Sequence, residues 1–188
     1  MPCLLLKDGS LVKTIKFDKP SYVGDAVNAI KIFNEKEVDE LLLIDISKKE
    51  IPLCYGGNIK TIENMRTLFQ LGIEKIVVND ILFDDLNLVK EAIKLFGSQS
   101  IVASVDIKKN MWGVRKVYRH SHKKILNLSP IEYVRQLEIL GVGEILLYSV
   151  DRDGTWEGMD IDLIKEVTNK THLPVISCGG VGKLKDIE

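Results

Sequence analysis

The sequence predicts a parallel α/β fold, a (β/α)8 TIM-type barrel that is incomplete, as a single domain over residues 1–188. Three observations predict it. Short apolar runs alternate with longer amphipathic stretches, as buried parallel strands alternate with covering helices. A Pro-apolar-Gly-Gly repeat joins the third and seventh runs, an offset of four strands that suggests two similar half-barrels. Polar and glycine residues gather at the C-terminal ends of the runs, where such barrels carry their sites. A doubly wound sheet shares the alternation, and the half-barrel offset favours the barrel.

The strand-like runs are residues 3–6, 41–46, 52–55, 76–79, 101–106, 145–150 and 174–178. Helical spacing appears over 23–33, through Val27, Ile30 and Phe33, and over 62–71, through Met65, Leu68 and Leu71. It recurs over 86–96, 131–140 and 161–168. Ser129-Pro130-Ile131-Glu132 reads as a capping box with proline at the first helical position. The repeat pairs Pro52-Leu53-Cys54-Tyr55-Gly56-Gly57 with Pro174-Val175-Ile176-Ser177-Cys178-Gly179-Gly180. Two elements are short of expectation. A barrel of this kind takes about 250 residues, so the eighth βα unit is expected to be missing and the domain truncated at its C-terminus. Between Ser47 and Pro52 stand four residues, whereas a parallel crossover needs about a dozen. The second helix is therefore expected to be missing too.

Composition excludes several classes. Lys and Arg number 26 against 27 Asp and Glu, so charge does not drive nucleic-acid binding. A 45% hydrophobic fraction excludes a disordered chain. No run approaches the roughly 18 apolar residues of a membrane span, and the start lacks a signal-peptide pattern. Cys3, Cys54 and Cys178 show neither metal nor disulfide spacing, which makes a reducing cytoplasm the default.

Each Gly-Gly leads into a helix, and free N–H groups there attract phosphate. Gly56-Gly57 and Gly179-Gly180 thus suggest a substrate phosphorylated at both ends, the alternative being two tight turns. Asp80, near the first pair, would repel an anion. Asp45, Asp106, Asp151 and Asp153 could face one cavity and raise one another's pKa, though Asp also fills turns and caps. Asp106 ends an apolar strand, which favours function there. His120 and His122 lie in a basic stretch without a metal-ligand pattern and read as a solvated loop.

Taken together, Pro2-Cys3-Leu4 with Lys7-Asp8-Gly9, Phe96-Gly97-Ser98-Gln99, Asp151-Arg152-Asp153-Gly154-Thr155 and Cys178-Gly179-Gly180-Val181-Gly182-Lys183 resemble the cyclase subunit (HisF) of imidazole glycerol phosphate synthase. The resemblance runs over nearly the whole chain. It implies a barrel that docks a glutaminase (HisH-like) subunit and passes ammonia through its interior to a phosphorylated small-molecule substrate, with no cofactor, metal, nucleic acid or membrane. It places the two catalytic aspartates at Asp106 and at Leu5, which cannot carry a proton, and a catalytic lysine at Lys13. Substrate and phosphate contacts fall on Asp45, Gly57, Asn79, Asp153, Gly154, Gly179 and Gly180. In the first phosphate site Asn58 and Asp80 depart from the family pattern. The ammonia gate falls on Glu40, Lys75 and Glu144, with a gate arginine expected before Met1, and a glutaminase contact on Glu74.

Three readings follow from that resemblance. One is an authentic cyclase of histidine biosynthesis, against which Leu5 speaks, since a lost acid–base group costs on the order of 10²–10⁴-fold. The second is a paralogue that keeps the ammonia plumbing and serves a sugar amidotransferase in surface-polysaccharide or flagellar-glycan synthesis. The third is a non-catalytic scaffold or fragment.

Overall fold

The structure, a computed structural model, describes residues 3–7, 10–16, 18–36, 42–45, 54–57, 59–71 and 73–187. The elements in chain order are β1 (Cys3–Lys7), β2 (Ser10–Ile15), β3 (Asp18–Asp25), α1 (Ala26–Glu35), β4 (Leu42–Asp45), β5 (Cys54–Gly56), α2 (Ile62–Gln70) and β6 (Lys75–Val78). There follow α3 (Ile81–Asp84), α4 (Leu86–Phe96), β7 (Ile101–Lys109), β8 (Arg115–Arg119), β9 (Lys124–Ile125), α5 (Pro130–Leu140), β10 (Glu144–Ser149), α6 (Ile161–Thr168) and β11 (Val175–Cys178).

Seven strands pair in parallel and in chain order: β1, β4, β5, β6, β7, β10 and β11. All seven expected strands are therefore present. In this order β5 is third and β11 seventh, so the two Gly-Gly turns do lie four parallel strands apart. Antiparallel strands extend the sheet beyond that arc. β2 and β3 continue it from β1, while β8 pairs with β7 and β9 with β8. Among the described residues no backbone pairing joins β11 to β1, so the expected barrel is observed as a parallel arc rather than a hydrogen-bonded ring. The segment that lacks room for a second helix lies outside the described residues.

Alternation along each strand builds two cores. Ile76, Val78, Ile101, Ala103, Val105, Ile145 and Leu147 face the helices and pack on Met65, Leu68, Val89, Ala92, Val134, Leu137, Leu163 and Val167. The intervening Val77, Val102 and Leu146 face the other way and gather Cys3, Ile44, Cys54, Ile176 and Cys178 around them. Every parallel strand thus contributes to this inner cluster. Period-two alternation on strands that also read as continuous apolar runs means that both faces are covered.

Helix starts follow side-chain caps. Ser129 Oγ accepts from Glu132 N at 3.2 Å with Pro130 behind it, as expected. Thr61 and Asp160 cap α2 and α6 in the same way. The helix expected over 23–33 begins later, at Ala26. Residues 18–25 are taken by the pairing of β3 with β2, and Asp25 Oδ1 accepts from Asn28 N at 2.8 Å to start the helix there.

The two flanks of the arc meet through side chains and loops. Thr14 on β2 donates to Asp153 Oδ2 at 2.6 Å, and Lys16 N donates to the Asp153 carbonyl at 3.0 Å. Gly154 carries a φ of +66°, and a Cβ there would collide with the Thr14 carbonyl. The loop after β10 must therefore be glycine at this point to lie against β2. Both Thr14 and Asp153 are buried. Thr14→Val should consequently lower stability by about 1.5–3 kcal/mol, the cost of withdrawing a hydrogen bond from a buried carboxylate, measured by urea unfolding.

Candidate functional site

A cavity of about 1270 Å³ opens at the C-terminal ends of the parallel strands. Its lining is contributed by strand residues on the inner face and by the turns that follow them. Leu5, Ile44, Val77 and Leu146 supply apolar wall, and Gly57, Lys60, Asn79, Asp80, Asp106, Arg119 and Tyr148 supply polar wall.

Asp106 is its chemical centre. It follows Val102 and Ser104 at period two on β7, and so shares their inner face. Its carboxylate accepts from Asn79 Nδ2 at 2.8 Å and from Ser104 Oγ at 3.1 Å. Burial pushes its pKa up to about 6, against the opposing pull of those two bonds. A carboxyl group held there exchanges a proton near neutral pH. Opposite in role stands Leu5, paired in register with Ile44 of β4 and lining the same cavity. No proton carrier occupies that position.

Asp80 is not an isolated anion. Arg119 Nε donates to Asp80 Oδ1 at 3.0 Å, and its terminal nitrogen donates to both Asp84 oxygens at 2.7 Å. Ser121 Oγ donates to Asp80 at 2.5 Å. The guanidinium lies 5.3 Å from the Phe83 ring, which stacks on Tyr133. The repulsion expected from Asp80 is thereby met by a cation on β8. His120, Ser121 and His122 are exposed, in keeping with their reading as a solvated segment, and they also border the cavity. They are carried there by the β8–β9 hairpin, folded back over the mouth. The signal that could have found it is the Asn110-to-Gly113 turn before β8, where Asn110 Oδ1 accepts from Trp112 N and Val114 N and Gly113 has a φ of +75°.

The remaining expected residues divide. Gly57, Asn79 and Asp106 come together in the cavity; Lys13, Asp153, Gly154, Gly179 and Gly180 do not line it. Lys13 Nζ sits 3.8 Å from the centroid of the Trp156 ring. Asp153 is 6% exposed and accepts from Tyr148 OH at 3.0 Å as well as from Thr14. Gly180 packs on the Gly158 carbonyl, to which a Cβ would be impossibly close, so close backbone contact accounts for this glycine. Asp151 caps the extension of β7 through Lys109 N at 2.7 Å. Asp45 stands opposite Leu6 in register, but its side chain lies outside the described residues, as do Glu40 and Asn58 entirely.

At the other ends of the strands, Lys75 at the start of β6 pairs with Glu144 at the start of β10 at 2.8 Å, both largely buried. Among the described residues, Glu144 Oε2 has no hydrogen-bond partner. Glu74 beside it is exposed. Among the described residues no cluster of three metal-ligating side chains occurs, and no helix is long and apolar enough to cross a membrane.

Because its pKa is raised, Asp106 stabilises the fold when protonated. Its contribution is fully present below the ordinary value of 3.8 and is lost as pH rises through about 6. Asp106→Asn should therefore stabilise the protein above pH 7 by on the order of 3 kcal/mol, shrinking toward pH 4. Urea midpoints at pH 4.5, 6 and 8 would check this.

The family model described as histidine biosynthesis protein matches residues 1–50 and 46–188. A Pseudomonas aeruginosa protein provisionally named imidazole glycerol phosphate synthase subunit hisF2 is 45% identical over 205 positions, covering all of this chain and 82% of the relative. A Leptospira interrogans protein provisionally named HisF of the same synthase is 36% identical, with the whole chain and 82% of the relative covered. The imidazole glycerol phosphate synthase subunit HisF of Chlorobaculum parvum is 35% identical, with coverages of 100% and 81%. The family match breaks at residues 46–50, where the sequence leaves too short a crossover.

Proposed function

The chain belongs to the histidine biosynthesis protein family, among its HisF subunits, and from that premise we propose that it receives ammonia from a HisH-like glutaminase and delivers it to an acceptor other than the doubly phosphorylated cyclase substrate. The observation that carries this reading is the contrast between the two ends of the parallel strands. At the amino ends the Lys75–Glu144 pair is intact. At the carboxyl ends one half of the acid–base pair is Leu5, Lys13 is stacked on Trp156, and the Asp153 carboxylate is occupied by Thr14 and Tyr148.

A cyclase needs two positioned proton carriers, because ring closure both removes and delivers protons. A chain with Asp106 alone keeps one of them. Its wall residues, Leu5, Ile44, Val77 and Leu146, form an apolar lining that a small neutral molecule crosses at far lower cost than an ion. The side-chain and loop hydrogen bonds that tie the two flanks of the arc support such a conduit. Cytoplasmic sugar amidation, with a separate amidotransferase as the consumer, is the acceptor chemistry this reading favours. The retained Asp106, with its pKa near 6, favours the alternative of residual histidine-type cyclase activity.

The two readings give opposite results with purified protein. Mixed with its glutaminase, glutamine and the cyclase substrate, the chain should stimulate glutamine hydrolysis while forming no imidazole product. Lys75→Met should reduce that stimulation about tenfold or more, because it leaves the Glu144 charge buried without its partner. Imidazole product from the wild type would reject the proposal, as would a failure of the glutaminase to bind.

A further inference from the structure

The three cysteines stand far apart in sequence, without disulfide spacing, and strand alternation turns all of them inward. Leu4 and Leu6 of β1 pack outward with α1, whereas Cys3 belongs to the inner cluster. On β11, Val175 packs on the helix side, and Ile176 and Cys178 face the interior. Cys54 on β5 joins the same cluster around Val77, Val102 and Leu146.

Within that cluster Cys3 and Cys178 meet. The Cys3 thiol donates to the Cys178 sulfur, and the Gly179 amide donates to the same atom. The two residues belong to the first and last strands of the parallel arc, and among the described residues no backbone pairing joins those strands. Both side chains are partly exposed, so a small reagent can reach them. Their environments also differ. The bond from Cys3 holds the Cys178 thiol below the ordinary range, and the same bond, with burial, pushes Cys3 above it. A sulfur that ionises readily beside one that does not is the pairing of an attacking and a resolving thiol.

We propose that Cys3 and Cys178 form a modification site, oxidised by a low-molecular-weight disulfide to a reversible bond that staples β1 to β11. The Cys178 thiolate attacks one sulfur of the reagent and expels one thiolate, which leaves a mixed disulfide on Cys178. Cys3 then gives its proton to solvent and attacks Cys178 Sγ, expelling the second thiolate. Two protein thiols are oxidised, and one reagent disulfide is reduced to two thiols. The bond joins residues near opposite ends of the chain, so it restricts the unfolded state strongly. In the folded state it fixes the separation of the two strands that strand pairing leaves unjoined. The inference rests on the packing of the inner cluster and not on the passage of ammonia.

The test incubates the reduced full chain with glutathione disulfide at pH 8, followed by acid quench, alkylation of free thiols, digestion and mass spectrometry. Wild type and Cys54→Ser should each give the Cys3–Cys178 link as the main product, and dithiothreitol should remove it. Cys3→Ser should stop at a glutathione adduct on Cys178. Cys178→Ser should form an adduct on Cys3 about tenfold more slowly or worse. Oxidised wild type should melt about 5 °C or more above the reduced form, a gain absent from Cys3→Ser. Where a serine variant fails to fold, the alanine variant at the same position takes its place. A main link that includes Cys54 overturns the proposal. So does a wild type that stops at the mixed disulfide or does not react, and so does an oxidised form that melts no higher than the reduced one.

Discussion

One buried carboxylate holds the two flanks of the sheet together. Asp153 follows β10 near one flank and Thr14 lies on β2 at the other, 139 residues apart in sequence, yet the hydroxyl sits 2.6 Å from the carboxylate. A carboxylate in so apolar a setting is tolerable only with its lone pairs occupied. Tyr148 and Thr14 occupy them, and the Lys16 amide takes the neighbouring carbonyl. An open parallel arc lacks the strand pairing that would fix its curvature. Here side-chain hydrogen bonds supply that restraint, and the inner cluster around Leu146 fills the space so enclosed. The position of Asp106 over the cavity depends on this curvature.

The parallel strands were legible because each is an apolar run short enough for a strand and rich in branched residues. Their order was legible because successive runs with crossovers become neighbours. The antiparallel additions were not. β2 and β3 carry Lys13, Lys19 and exposed Tyr22 and Val23, a mixed pattern without a clean period of two. Residues 18–25 pair with β2, so the helix expected from Val23 onward began three residues late. The β8–β9 hairpin was hidden differently. Arg115 to Lys124 looks like a solvated basic run, because the partners of its two arginines, Asp80, Asp84 and Asp160, lie far away in sequence.

The site was half legible for a related reason. Strand-end residues such as Asn79 and Asp106 are placed by their own strands, so position in sequence gives position in the cavity. Gly154, Gly179 and Gly180 also sit at strand ends, but what they face is decided by neighbours from elsewhere. Gly154 meets β2, Gly180 meets the Gly158 carbonyl, and Asp153 meets Thr14 and Tyr148. A glycine that permits backbone contact and a glycine that admits a phosphate carry the same letter. Three-dimensional packing decides between them.

Charge distribution along the inner axis bears on what can travel there. The Lys75–Glu144 pair at one end and the Arg119–Asp80–Asp84 group at the other are each locally compensated. Between them the wall is Val77, Val102, Leu146, Ile44, Ile176 and the thiols of Cys3, Cys54 and Cys178. An ammonium ion entering this stretch would lose its hydration without gaining a counter-charge, at a cost of several kcal/mol. A neutral molecule of the same size loses far less. Asp106, lining the cavity next to this cluster and held near a pKa of about 6, is a group able to hand over a proton or take one near neutral pH. On the proposed ammonia reading, the interior would thus discriminate by charge before any chemistry begins.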